Sequence, residues 1–304
     1  MSLESYYQKD GIVIYNHDNL EVLRCLYSQS VNLIYCDILY NTGKDFDYYN
    51  DNLGTPTQAV EWYRPRFEEM KRVLADSGSI FIHCNWRLDS YIRILMDEIF
   101  GANCFRNRIY RKHSNKRGFF ANFDSQVDII LYYVKNPYNF IFNEPTQSRK
   151  EFVPLFENGY LESRSYPLVY NEKVIHLEKY NKHWLISKKQ FFDMALKDEI
   201  KIIDGMPYRV SKAKNIGNLW DEPDMLDDYS RTDSAKAYDT PKPEAVLKRI
   251  IEICSNPGDT VADFFLGGGT TAVVTKKLNR NGIFCDINSK ACKVTVKKIE
   301  NLIL

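Results

Sequence analysis

Two hydrophobic periods take turns along the chain. Short apolar runs bounded by polar residues, GIVIYN (11–16), VNLIYC (31–36), SIFIHC (79–84) and DIILYYV (128–134), predict strands. Residues 18–26, 58–75 and 86–100 instead carry apolar side chains at helical spacing and predict helices, the second interrupted at Pro65. The rhythm returns near the C-terminus with a helix over 243–254, a strand in TVADFF, a glycine loop, a helix in TTAVVTKKLN, a strand in GIFCD and a last helix reaching Leu302. Alternating strands and helices predict an α/β fold with a doubly wound, mostly parallel sheet covered on both faces. From 141 to 235 the pattern breaks, and aromatics and charges mix without a period, as in FENGYLESRSYPLVYNEKVIHLEKYNKHW. That stretch reads as an insertion or a small second domain, which leaves 1–140 and 236–304 as the core. No internal repeat or low-complexity tract interrupts the chain.

Composition narrows the class without naming a chemistry. With 304 residues, 44% of them apolar and 27% charged, the chain is long enough for one large domain carrying an insertion. No run approaches the roughly 18 apolar residues that cross a bilayer, and MSLESYYQKDG lacks the basic and apolar regions of a signal peptide. A cytoplasmic protein with no membrane partner is expected. The seven cysteines (25, 36, 84, 104, 254, 285, 292) are scattered, odd in number and without a CxxC pair, so buried thiols are expected before disulfides or a metal site. A net charge of +1 gives no global argument for nucleic acid, which would need a local basic stretch.

Two stretches carry candidate chemistry. In CDILYNTGKDF (36–46) a strand ends in Asp37 and an aromatic follows at Tyr40, so a carboxylate and a ring emerge together. Taken alone, the pair is equally a turn residue and a core tyrosine. In DFFLGGGTT (263–271) three glycines between a strand and a helix let the backbone approach a ligand, and the helix N-terminus offers free N–H groups. The loop lacks the lysine of a phosphate-binding P-loop and departs from GxGxxG. GIFCD then ends in Asp286, where doubly wound folds hold the hydroxyls of a ribose. A tight turn with a capping Asp accounts for the same residues. Ligands in open parallel sheets bind beyond the carboxyl ends of strands, which places both stretches in one crevice.

DILYNTGKDF, GSIFIHCNWRLDSYIRILMDEIFG, FRNRIYRKHSN, GNLWDEP, TPKPEAVLKRIIEICSNPGDTVADFFLGGGTTAVV and GIFCDIN, in that order, resemble the β class of S-adenosylmethionine-dependent DNA amino-methyltransferases. The closest likeness is to type III modification subunits and their shorter type II relatives, and it covers residues from about 11 to 302. The resemblance implies a Rossmann-like methyltransferase core with the catalytic motif ahead of the cofactor motif and an inserted target-recognition region. It implies an enzyme that moves a methyl group from S-adenosyl-L-methionine to adenine N6 of a flipped-out base, as part of a restriction–modification system and without a metal. Asp37 would accept one amino hydrogen, the carbonyl of Ile38 the other, and Tyr40 would stack on the base. Asp263, Phe265, Gly267, Gly268, Gly269 and Thr270 would cradle the methionine part of the cofactor and Asp286 its ribose. Lys242, after Thr240 and Pro241, would lie near its carboxylate, and Asp18 near its adenine. A helix N-cap explains Asp18 as well.

The chain departs from the family pattern where both prolines of D-P-P-Y are replaced, by Ile38 and Leu39. A backbone carbonyl survives any side-chain change, but the fixed φ that aims it is lost. A catalytically weakened DNA-binding or specificity homologue therefore stays open beside the active enzyme. Asp rather than Ser at the first motif position leans toward adenine N6 over cytosine N4, a lean that is statistical within the family. Arg106, Arg108, Arg111, Lys112, Lys116 and Arg117, interleaved with Tyr110, Phe119 and Phe120, form a basic stretch expected to bind DNA, although such runs are often only a solvated face. His183 and Trp184 fall in the region expected to read sequence, where His183 is equally a core or turn histidine. Double-stranded DNA is the expected partner; a cognate restriction endonuclease and a homodimer stay open.

Overall fold

A computed structural model describes residues 3–43, 45–46, 49–117, 123, 125–143, 151–211, 216–226 and 242–302. The chain divides into a larger unit within Met1–Glu144 and Gly217–Leu304 and a smaller one within Pro145–Ile216. The insertion expected over 141–235 is broader than this smaller unit. Ile141 and Asn143 donate backbone hydrogen bonds to Ser77 and Ile253 of the larger unit, and Leu219–Trp220 forms a strand of its sheet.

In the larger unit the strands are β1 (Tyr7–Lys9), β2 (Ile12–Tyr15), β3 (Val31–Asp37), β4 (Leu74–Cys84), β5 (Phe105–Arg117), β6 (Ser125–Val134), β7 (Leu219–Trp220), β8 (Thr260–Asp263) and β9 (Asn281–Cys285). They form one nine-stranded sheet in the order β1-β2-β9-β8-β3-β4-β6-β5-β7. The run from β2 to β4 is parallel throughout, while β6 runs antiparallel to both β4 and β5. The central strands are apolar without alternation because both faces are covered. Leu33, Ile34, Ile80, Ile82, Val261 and Phe284 are all fully buried. Helices α1 (Asn19–Cys25), α2 (Pro56–Val73) and α3 (Asp89–Phe100) pack in sequence on one another, as do α4 (Glu244–Cys254), α5 (Thr270–Lys277) and α6 (Ser289–Glu300).

Pro65 does not interrupt α2, which runs unbroken through it. The lost backbone hydrogen bond is outweighed by the burial of Tyr63, Phe67, Met70 and Val73 along one stripe. The smaller unit gathers short antiparallel strands and the helix Lys188–Ala195 around its own core of Leu155, Leu168, Leu177, Trp184 and Phe191.

Ile34 lies at the centre of the sheet, paired with Ala262 on one side and Ile80 on the other. Ile34→Ala should lower the unfolding free energy by about 2–5 kcal/mol in urea titration. A loss under about 1 kcal/mol would show that stability does not reside in this strand.

Candidate active site

The parallel register sets Asp37 beside His83 across β3 and β4. Past Asp37 the chain is pinned on both sides of the Ile38 carbonyl. The Ile38 N–H donates to the His83 carbonyl at 3.1 Å, a bond a proline could not make, and the Tyr63 hydroxyl donates to the Leu39 carbonyl at 2.9 Å. Ile38 is buried. Beyond Tyr40, the buried carboxylate of Asp51 accepts from the backbone N–H groups of Asn41 and Thr42 and closes the loop.

Three groups meet at the loop. Tyr40 Oη donates to Asp37 Oδ1 at 2.8 Å. The Lys242 ammonium lies 3.1 Å from Asp37 Oδ2, donates to Tyr40 Oη at 3.0 Å and stands 5.2 Å from the Tyr40 ring centroid. Lys242, expected beside the cofactor carboxylate, is thus the counter-ion of Asp37 in this structure; Thr240 and Pro241 lie outside the described residues.

A buried polar network supports Asp37 from below. His83, fully buried, has Nδ1 2.8 Å from Tyr35 Oη and 3.9 Å from Asp37 Oδ1, and Nε2 3.4 Å from Asp128 Oδ2. Arg111 donates to the same Asp128 oxygen at 2.6 Å. Burial, reinforced by the charge of Lys242, pushes the His83 imidazole below its ordinary pKa, so it is neutral at pH 7. Nδ1 and the Tyr35 hydroxyl share one hydrogen bond, while Nε2 faces Asp128. Burial works against ionisation of Asp128, yet His83 and the charges of Lys242 and Arg111 overcome it and hold the carboxyl well below its usual range.

The adjacent strands β8 and β9 end in the second half of the site. Asp263, buried, accepts from the Phe265 N–H at 2.9 Å and from the Thr271 hydroxyl at 2.6 Å, so it shapes the glycine loop from within. Burial pushes its carboxyl up to about 7, with Asp37 and Asp286 adding to the rise and the two donors opposing it. Asp286 accepts from the N–H groups of Gly267 and Asn288, at 2.8 and 2.9 Å on different oxygens, and burial raises its pKa. Each oxygen keeps a lone pair for a further donor, as a ribose diol requires. Gly267 and Gly269 have φ of 51° and 78°, and a Cβ on Gly269 would meet the Thr295 side chain. Gly269 leaves the first turn of α5, which Thr270 opens, without a side-chain cap. Those N–H groups and the Asp286 carboxyl fit the carboxylate and ribose of an amino-acid nucleoside cofactor.

The loop is held from the other side by a polar chain. Asn19 Nδ2 donates to the Phe264 carbonyl, Arg66 donates to Asn19 and Asp18, and the Arg66 guanidinium stacks 3.5 Å above Trp62. Asp18 caps α1 through the Leu20 N–H, so both its oxygens are engaged in structure and it is a cap before a ligand group. Phe265 tilts against Trp62 and Tyr63.

Within the basic stretch, Arg111 is a correction. Residues 105–117 form a sheet strand, paired with β6 on one side and with the two-residue β7 at Tyr110 and Arg111 on the other. Strand alternation turns Ile109 and Arg111 inward, and Arg111 is 1% exposed, bound to Asp128 and to the Met225 carbonyl. It cannot contact DNA in this position. Arg106 is committed to the Pro137 carbonyl and the Phe140 ring, and Arg108 to Asp89 at 3.3 Å. Lys112 is exposed; the side chains of Lys116 and Arg117, and Phe119 and Phe120 altogether, lie outside the described residues. Trp184 is fully buried core of the smaller unit, and His183 is held by the Gly159 carbonyl at 2.8 Å, a turn contact. No motif in the sequence marks His83, Asp128, Tyr63 or Arg66. SIFIHC signalled only that a histidine stands one residue before the end of a strand.

Residues 31–297 match the family described as DNA methylase. The Mod subunit of the type III restriction–modification enzyme StyLTI from Salmonella typhimurium is 27% identical over 92% of this chain and 53% of its own length. The DNA adenine methyltransferase YhdJ of Escherichia coli is 27% identical over 94% of this chain and 82% of its own length. The chain therefore spans about half of the type III relative. In fold it is similar to the PvuII DNA methyltransferase, a cytosine-N4-specific protein, with a TM-score of 0.63 and 13% identity over 99% of this chain and 91% of that one.

Asp263 provides a pH test of the loop. Between about pH 4 and 7 the folded chain keeps a proton on Asp263 that the unfolded chain has lost, so this group's contribution to stability falls as pH rises through that window. Asp263→Asn cannot ionise and should gain on the parent by up to a few kcal/mol from pH 4 to 8 in paired urea titrations. A difference constant across the window would contradict the buried, raised carboxyl.

Proposed function

Because the chain belongs to the DNA methylase family, we propose that it transfers a methyl group from S-adenosyl-L-methionine to the N6 amino group of an adenine turned out of double-stranded DNA. One observation carries the reading: Asp37 and the glycine loop stand at the carboxyl ends of neighbouring parallel strands, β3 and β8. Adenine is favoured over cytosine by Asp at the first motif position and by the E. coli relative, an adenine methyltransferase. The type III relative supports a place in a restriction–modification system, with a cognate endonuclease as partner and the smaller unit as the target-recognition part.

An exocyclic amine is a weak nucleophile because its lone pair is delocalised into the ring, and it is hidden in the duplex until the base is extruded. Asp37 and the Ile38 carbonyl would accept its two hydrogens and turn the lone pair toward the methyl donor, while Tyr40 stacks on the base. The Asp37 carboxylate would also stabilise the positive charge that develops on nitrogen. To bind there, the amine must replace the Lys242 ammonium, which now holds Asp37 Oδ2 and Tyr40 Oη. S-adenosyl-L-methionine supplies an electrophilic methyl on a sulfonium. Asp286 and the first-turn N–H groups of α5 would hold its ribose and carboxylate. The two bonds flanking Ile38 aim its carbonyl without proline, which supports an active enzyme over an inert homologue.

Expression in a methylation-deficient host followed by single-molecule sequencing should reveal N6-methyladenine at one short motif. N4-methylcytosine would overturn the choice of base, and unmodified DNA would overturn the activity. Asp37→Ala should abolish transfer while leaving cofactor affinity within a few-fold; residual turnover near the parent rate contradicts its role. Asp286→Ala should weaken cofactor binding at least tenfold in calorimetry, about 1.4 kcal/mol, and an unchanged Kd argues against the ribose contact.

A further inference from the structure

Beyond β4 the chain makes one tight turn, CNWRLD, before entering α3. Buried Asn85 locks it: its side chain accepts from the Arg87 N–H at 3.0 Å, and its carbonyl accepts from Leu88 and Asp89 at 3.2 and 3.1 Å. Cys84, Asn85, Leu88 and Asp89 all face inward, so only Trp86 and Arg87 point out. Trp86 is 53% exposed, and the Arg87 guanidinium lies 4.6 Å from its ring centroid. Among the described residues no carboxylate pairs with Arg87. A rigid turn that shows water a large aromatic with an unpaired cation laid on it leaves apolar area and charge unused within the larger unit.

Its place in the sheet indicates the ligand. The cofactor residues end β8 and β9 on one side of β3, whereas this turn ends β4 on the other, directly beyond His83 and the Ile38 N–H that bonds to it. The turn therefore leaves the sheet one strand over from the Asp37 loop, on the side away from the glycines. An aromatic face with an adjoining guanidinium matches a nucleobase with its flanking phosphate.

We infer that Trp86 and Arg87 form a nucleic-acid contact at the rim of the site, Trp86 stacking on a base of the target strand and Arg87 meeting its backbone phosphate. This rests on the DNA reading above. It assigns to the turn part of the contact that the buried Arg111 cannot make.

The test measures binding of sheared host DNA and of single-stranded oligo-dA to the intact chain, with intrinsic tryptophan fluorescence followed alongside. DNA should quench the parent's emission. In Trp86→Phe the quenching should fall while affinity holds within about twofold. Trp86→Ala should weaken binding about tenfold, and Arg87→Ala should lower the salt dependence by about one counterion. Cofactor affinity and thermal midpoint should stay at parent values in all three, which separates contact from folding. If the parent binds DNA and both alanine variants bind equally well with the same salt slope, this inference fails and the DNA reading stands. If the parent binds neither DNA, both fail together.

Discussion

The parallel pairing of β8 against β3 is the constraint on which the site depends. It joins segments from opposite ends of the chain: the Thr260 N–H donates to Asn32 Oδ1 at 2.9 Å across 228 residues of sequence. Because the strands run the same way, both release their chains at one edge of the sheet. Asp37 leaves β3 there, Asp263 and the glycine loop leave β8, Asp286 follows β9 and His83 stands near the end of β4. No single segment holds the chemistry; the sheet assembles it.

Charge balance at this edge is the second theme. Asp37, Asp263 and Asp286 converge, and burial, with the charges of Asp37 and Asp286 adding to it, raises Asp263 toward neutrality. Asp37 is offset by Lys242, and Asp128 by Arg111 with a neutral His83 between them. The loss of both family prolines becomes intelligible in the same terms. Ile38 has an N–H that proline lacks and uses it to extend the β3–β4 pairing by one bond, and Tyr63 fixes the next peptide from α2. Hydrogen bonds hold here what a ring would hold by covalent geometry.

Much of this was legible in the residues. Long apolar runs at the right spacing gave the central strands and most helices, and the ordered motifs gave the positions of Asp37, Gly267–Gly269 and Asp286. The failures share a physical cause: contacts made only in the folded chain, most of them to groups far off in sequence. Arg111 looked like one more surface cation because Asp128 and the Met225 carbonyl, which make its burial tolerable, are invisible locally, and β5 was concealed with it. The bond of Lys242 to Asp37 went unforeseen because the motif around it does not reveal that partner. Pro65 looked like a helix break because the packing stripe that overrides it is tertiary. The smaller unit ends before the break in pattern does, because two residues, Leu219 and Trp220, suffice to join a sheet edge.

The most direct measurement of the central claim is the affinity of a bisubstrate analogue in which the N6 of adenine is joined through a short linker to the cofactor's amino-acid nucleoside. If both halves of the site share one cleft, this compound should bind at least a hundredfold more tightly than the cofactor alone, the advantage of linking two occupied sites. That gain should vanish in a chain lacking the Asp37 carboxylate. An affinity no better than that of the cofactor, measured on the parent chain, would mean that the glycine loop and Asp37 do not face a common ligand.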